Sequence, residues 1–174
     1  MKFNKIGYFY AKLLQKVVTH TPETICKFYR RGGVKVGKNN VICGYIHMGE
    51  PQLVEIKNDC VISSDVSFIT HDHSINKVTD KGSNLFGKII IGNNCFIGQR
   101  SIILYGVELA DNIIVGSGSV VTTSFKQSNI IIAGNPARII GSWDNFRKKY
   151  ENKAAFRSEL EDIIQGSTDK LICK

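Results

Sequence analysis

Half of the four histidines in this chain fall within three residues, His71-Asp72-His73, one threonine after the apolar-rich run Val66-Ser67-Phe68-Ile69. Three chemistries suit such a trio. Two imidazoles can begin a zinc site, but a catalytic zinc takes three protein ligands. The other histidines are His20 and His47, and an H-x-H pair shares a face only where the backbone is locally extended. An imidazole with a pKa near the usual ~6.5 can instead take the proton from a hydroxyl as a general base, with a neighbour orienting it. The third reading is a solvated turn. The scaffold that presents the trio decides among them.

A chain of 174 residues with 43% hydrophobic and 22% charged residues suits one soluble globular domain, with room for a small appendage. The formal charge of +8 raises the question of nucleic acid or an anionic membrane. Much of the excess sits at the ends, in Lys2, Lys5, Lys12, Lys16, Lys27, Arg30 and Arg31 and in Arg147, Lys148 and Lys149. A basic nucleic-acid groove is therefore not expected, and small anionic substrates suit the surface better. Five cysteines (Cys26, Cys43, Cys60, Cys95, Cys173) show no C-x-x-C spacing. With no secretory signal pattern or long apolar run, the expectation is reduced thiols in a cytoplasmic protein.

An internal period sets the architecture. From Ile91 an apolar residue returns every six positions: Ile91, Ile97, Ile103, Leu109, Val115, Val121. The same register runs earlier through Val36, Ile42, Met48 and then Ile56, Ile62, Phe68. Four places after the repeat start come mostly small residues: Cys60, Val66, Cys95, Ser101, Val107 and Ser119. One large and one small inward residue per hexad suits a narrow, tightly packed prism, and neither a plain strand nor a helix has this period. Cys60 and Cys95 then read as core filler rather than nucleophiles. Between Phe68 and Ile91 the rhythm fails, and "HDHSINKVTDKGSNLFGK" reads as a polar loop with turn signals. The histidines stand at its root, and a long loop inside a compact repeat is usually functional.

Three segments follow: a helical cap over residues 1–33, the repeats over 34–141 with the loop at 71–88, and a helical tail over 142–174. The first carries Ile6, Phe9, Tyr10, Leu13, Leu14, Val17 and Val18 at near-helical spacing, with lysines between. It reads as a cover for the open end of the repeats, or as a basic helix at a membrane surface. A second short helix is expected after Thr21 as N-cap, with Pro22 at its first position. Phe146, Tyr150, Phe156, Leu160, Ile163 and Ile164 suggest one packing helix in the tail.

The hexads, "IGNNCFIG", "GSGSVVT" and the closing "IIIAGNPARIIG" together resemble the hexapeptide-repeat acyltransferases. That resemblance implies a mainly β fold, a left-handed parallel β-helix, assembled as a homotrimer with active sites at subunit interfaces. Handedness comes from the resemblance alone, since connections between parallel strands are generally right-handed. In the maltose- and galactoside-type sugar O-acetyltransferases of this family, a V-x-L-Y-T-x-T-H run ends on the catalytic histidine. An ungapped match with Val66 to His73 puts His73 on that position, and leaves His71 and Asp72 as support or acceptor contacts. The resemblance also implies acetyl-CoA as cosubstrate, no required metal, and contacts from Gln99, Ser117, Thr122, Thr123 and Arg138. The Gln99 amide would face the thioester oxygen, and Arg138 a phosphate.

The match departs at Phe96, where Trp is common, at Thr123, where a basic residue is common, and at Leu85, where the maltose-type enzymes carry an acid. No acceptor-binding asparagine motif precedes Val61, and "THDHS" with the basic N-terminal helix is closer to capsule and lipopolysaccharide O-acetyltransferases. The expected activity is acetyl transfer from acetyl-CoA to a sugar hydroxyl, on a small-molecule or glycan acceptor, in surface-polysaccharide biosynthesis. The expected location is cytoplasmic, with the N-terminal helix as a peripheral contact at the inner face of the membrane. Alternatives are N-acetylation of a nucleotide-linked amino sugar, a gamma-carbonic-anhydrase-like zinc hydratase, and a non-catalytic trimeric scaffold.

Overall fold

The six-residue period becomes three parallel sheets visited in rotation. The first contains Lys35–Val36, Val54–Ile56, Ile89–Ile91 and Glu108–Leu109. The second contains Val41–Ile42, Val61–Ile62, Phe96–Ile97 and Ile113–Val115, and continues into Ile130–Gly134 and Ala137–Ser142. The third contains His47–Met48, Ser67–Ile69, Ile102–Leu104 and Val120–Val121. This computed structural model describes residues 4–19 and 21–172, so His20 and Cys173 lie outside the described residues, as do Lys2 and the side chain of Val18. The chain forms two compact units, Met1–Ile140 and Gly141–Lys174.

Register gives the length of a coil. Phe96 pairs with Ile114, 18 residues on, and Ile102 with Val120, again 18 residues on, so three hexads make one circuit. The first circuit is longer, Lys35 pairing with Glu55 at 20 residues. The large column fills the interior: Ile91, Ile97, Ile103, Leu109, Val115 and Val121 are all buried, and in the early coils only Met48 is half-buried. The small column is buried too, with Cys60 Sγ donating to the Gly92 carbonyl at 3.0 Å and Ser101 Oγ to the Gly116 carbonyl at 3.1 Å. Asn40 occupies the same column in the first circuit. It is buried but fully occupied, donating to the Lys57 carbonyl at 2.8 Å and accepting from the Cys60 amide at 2.7 Å. A buried amide is tolerated there because both its polar atoms are satisfied.

The corners are built from residues that accept a left-handed backbone. Asn39, Asp59, Asn94, Asn112 and Asn129 all have φ between 53° and 60°, a region open to Asn and Asp because their side chains bond locally. They also form a ladder: Asn39 donates to Asp59 at 3.0 Å and Asn94 to Asn112 at 2.9 Å. Elsewhere the coils approach too closely for a side chain. A Cβ on Gly98 would stand 2.5 Å from the Ser117 backbone nitrogen.

Two helices precede the sheets, α1 (Lys5–Leu14, extended by a π-helical turn over Gln15–Thr19) and α2 (Glu23–Arg31). The covering role belongs to α2. It buries Ile25, Cys26, Phe28 and Tyr29, and the Tyr29 hydroxyl both donates to the Gly44 carbonyl at 3.3 Å and accepts from the Ile46 amide at 2.8 Å. Pro22 rather than Thr21 is its N-cap, without a side-chain cap, and the Thr21 carbonyl accepts from the Thr24 amide at 3.3 Å. α1 lies on α2 through Tyr8 and Ala11, and Asn4 caps it by accepting from the Gly7 amide at 2.8 Å. Its Ile6, Phe9, Tyr10, Leu13 and Val17 are exposed, contrary to the expectation of a cover made from that stripe.

In the second unit the expected single helix is broken. α3 (Trp143–Tyr150) starts at Ser142, whose hydroxyl accepts from the Asn145 amide at 3.4 Å. Extended residues Ala154 and Phe156 interrupt it before α4 (Leu160–Ile164), and the Glu159 carboxylate accepts from the Phe156 amide at 2.7 Å. The Phe146 and Tyr150 rings lie 4.9 Å apart, tilted by 53°, while Phe156 and Ile164 remain exposed.

Candidate active site

One step in the rotation is far longer than the rest. Glu55 pairs with Ile90, 35 residues on, against the regular 18. The surplus leaves the third sheet after Ile69, forms the short antiparallel pair His71–Asp72 with Leu85–Phe86, and includes a 3-10 turn over Ser74–Lys77. The pairing fixes His71 opposite Phe86, and their rings lie 5.9 Å apart. All three residues of the trio stand at this root.

His71 is held from several sides. Its Nδ1 lies 2.9 Å from Glu50 Oε2, and the same carboxylate oxygen accepts from the Thr70 hydroxyl at 2.5 Å. The Glu50 amide in turn donates to Thr70 Oγ1 at 3.0 Å, so backbone and side chain of Glu50 both clasp this buried threonine. These bonds, Thr70 first and His71 after it, hold the Glu50 carboxyl below its ordinary pKa. Gly49 makes the approach feasible, since a Cβ there would stand 2.8 Å from His71 Nδ1. A carboxylate on one ring nitrogen fixes the tautomer and leaves the other nitrogen for chemistry. His71 also lines a cleft of about 350 Å³ with Tyr45, His47, Gly49 and Ile69.

His73 is exposed, and its ring meets that of His71 edge to face at 5.1 Å. Asp72, between them, is engaged elsewhere. Its Oδ1 accepts from the Ser74 amide at 2.7 Å and its Oδ2 from the Tyr105 hydroxyl at 3.3 Å. Ser74 chiefly, with Tyr105 adding less, holds the Asp72 carboxyl below its usual value; burial and Asp72 together push the Tyr105 phenol up. Asp72 therefore braces the loop against the next circuit. Its hydrogen bonds go to Ser74 and Tyr105, and toward His73 its interaction is electrostatic.

The remaining expected residues divide between corners. Gln99 and Ser117 are exposed in the turns from the second sheet to the third, one above the other, with the Gly118 amide donating to the Gln99 carbonyl at 2.8 Å. Thr122 and Thr123 follow Val121 at the exit of the third sheet, the corner from which His71–His73 also leave. Arg138 is exposed and donates to its neighbour's carbonyl, Ala137, at 2.9 Å. Gln99 and Ser117 thus lie at a different corner of the chain from the histidines. Among the described residues, no three His, Cys, Asp or Glu side chains come together as a metal site. His47 is exposed on the third sheet, its ring 5.2 Å from that of Tyr45.

Glu50 is the residue that the sequence reading missed. It falls in the gap between the two early hexad runs and belongs to no motif. The signal was available: adding the 20-residue first circuit to Glu50 gives Thr70, the neighbour of His71.

The chain is similar to known proteins over most of its length. The family model of the hexapeptide repeat of succinyl-transferase matches residues 88–123. Protein CapG of Staphylococcus aureus is 39% identical over 139 residues, 75% of this chain and 78% of that protein. WbbJ of Escherichia coli (strain K12), whose name places it in lipopolysaccharide biosynthesis as an O-acetyl transferase, is 28% identical over 133 residues, 71% of this chain and 67% of that protein. A solved galactoside acetyltransferase in complex with coenzyme A superposes with a TM-score of 0.57 at 21% identity, over 82% of this chain and 84% of that one.

Proposed function

From the premise that this chain belongs to the hexapeptide-repeat acyltransferases, we propose that it transfers acetyl from acetyl-CoA to a hydroxyl of a sugar, in the building of a surface polysaccharide. The observation that carries this reading is the single long interruption of the coil, with two ring-packed histidines at its root. The likeness to a protein named as an O-acetyl transferase of lipopolysaccharide biosynthesis supports the acceptor class.

The proposed base is His73, exposed where an acceptor can reach it. Its imidazole takes the hydroxyl proton as the oxygen attacks the thioester carbonyl carbon, contributing roughly 10²–10⁴ in rate. The Gln99 amide faces the developing oxyanion. The carbon–sulfur bond then breaks, and the thiolate leaves with the proton from the imidazolium. Ser117, Thr122, Thr123 and Arg138 are the remaining proposed cosubstrate contacts. Since Gln99 and Ser117 lie at another corner from His73, the proposed site is completed between subunits of a trimer of left-handed β-helices. No metal takes part in this scheme.

One observation favours a second reading within the same reaction. Glu50 orients His71 at 2.9 Å, which is the arrangement expected of a base and its carboxylate partner. His73 then contacts the acceptor. A thiol-release assay with acetyl-CoA and a panel of sugars tests the activity: release that depends on a sugar is expected, and release independent of every acceptor contradicts it.

A further inference from the structure

The segment from Asn4 to Thr19 contains no acidic residue, and carries Lys5, Lys12 and Lys16. Its one buried contact face is small, Tyr8 and Ala11 against α2. Tyr8 is well anchored, its ring 6.0 Å from Phe28 and 5.6 Å from Tyr45 and its hydroxyl donating to the Cys43 carbonyl at 3.4 Å. The helix is therefore fixed in rotation, and its rotation is the unusual one. Ile6, Phe9, Tyr10, Leu13 and Val17 are between 58% and 79% exposed. At about 100° per residue these five fall within one side of the helix, roughly opposite Tyr8 and Ala11. On the same projection Lys5, Lys12 and Lys16 form a single stripe along one flank of that apolar side.

We propose that α1 binds the surface of an anionic lipid bilayer, lying in the plane of the interface with its apolar side among the acyl chains. The charge pattern selects this occupant. Lysines beside an apolar face, with no acid on the segment, complement anionic headgroups, whereas a second copy of the same basic segment would set lysines near lysines. Tyr10 is suited to headgroup depth. Among the described residues no helix is long and apolar enough to cross a membrane, so the contact is a surface one. Binding is independent of which histidine is the base and of the acceptor's identity.

Sedimentation of the full chain with vesicles tests this. The chain should pellet with an equimolar mixture of phosphatidylcholine and phosphatidylglycerol, and far less with phosphatidylcholine alone. Raising the salt to about 1 M should release most of it. The triple variant K5Q/K12Q/K16Q should bind the anionic vesicles roughly a hundredfold more weakly, about fivefold per lysine. Phe9→Gln with Leu13→Gln should abolish binding while leaving thiol release from acetyl-CoA with soluble acceptors unchanged, since both side chains lie outside the proposed site. Equal binding to both vesicle types, or undiminished binding by the lysine variant, overturns the proposal. So does absence of vesicle binding together with a drop in oligomer size for the Phe9/Leu13 variant, which assigns the face to a second copy.

Discussion

Two stretches of this chain carry periodic apolar residues, and the fold treats them in opposite ways. In the hexad coil the periodic side chains are buried, Met48 alone being half-buried; on α1 they face outward. Periodicity reports which side of an element is apolar and says nothing of what covers it. In the coil the cover is supplied by the chain itself, because each circuit's large residue meets the small residues of the same prism. For α1, the neighbouring α2 has already used Cys26 and Tyr29 on the first circuit, while its Phe28 meets the Tyr8 ring. Of α1, Tyr8 and Ala11 are the buried residues.

Substitution at the two stretches should differ accordingly. Phe68→Ala removes a fully enclosed ring from the coil and should cost about 3–5 kcal/mol in chemical denaturation. A value near zero would mean that the interior repacks freely and that the contrast with α1 is weak. Gly98→Ala puts a methyl against the Ser117 backbone, which cannot swing aside as a side chain could. About 1–3 kcal/mol of destabilisation is expected from that overpacking. Leu13→Gln on α1, by contrast, should stay within about 0.5 kcal/mol of the parent in the absence of lipid.

Glu50 offers a smaller test, read through pH. Its folded pKa is lowered, so its contribution is present above the ordinary carboxylate range and lost as pH falls through the folded value. Melting temperatures of the parent and Glu50→Gln should therefore differ most near neutrality and converge in acid. The side chain is about a third exposed, so the difference should be modest. A constant gap across the pH range would mean that the Thr70–Glu50–His71 bonds add nothing through ionisation.

Much of the coil is legible in the residues because its constraint is local and repeated: the same large and small positions recur in every hexad. The Asn and Asp residues of the corners, Asn39 and Asn94 among them, recur with the coil, yet no expectation named them. The site is less legible, since its geometry depends on one non-local fact, the length of the first circuit, which brings Glu50 beside Thr70 and His71. The roles of the two histidines are harder still. Spacing within "THDHS" treats them alike, whereas the fold makes one carboxylate-bound and half-buried and the other exposed. The α1 face fails for the opposite reason. Its pattern is strong, but the missing partner is not written in the pattern.

The most direct test of the account is sugar-dependent thiol release from acetyl-CoA by His73→Ala and His71→Ala, each with its fold verified by circular dichroism. The account predicts a loss of roughly 10²–10⁴ in kcat for His73→Ala and a smaller loss for His71→Ala. A near-normal kcat for His73→Ala beside a full loss for His71→Ala would contradict it, and move the base to the histidine that Glu50 holds.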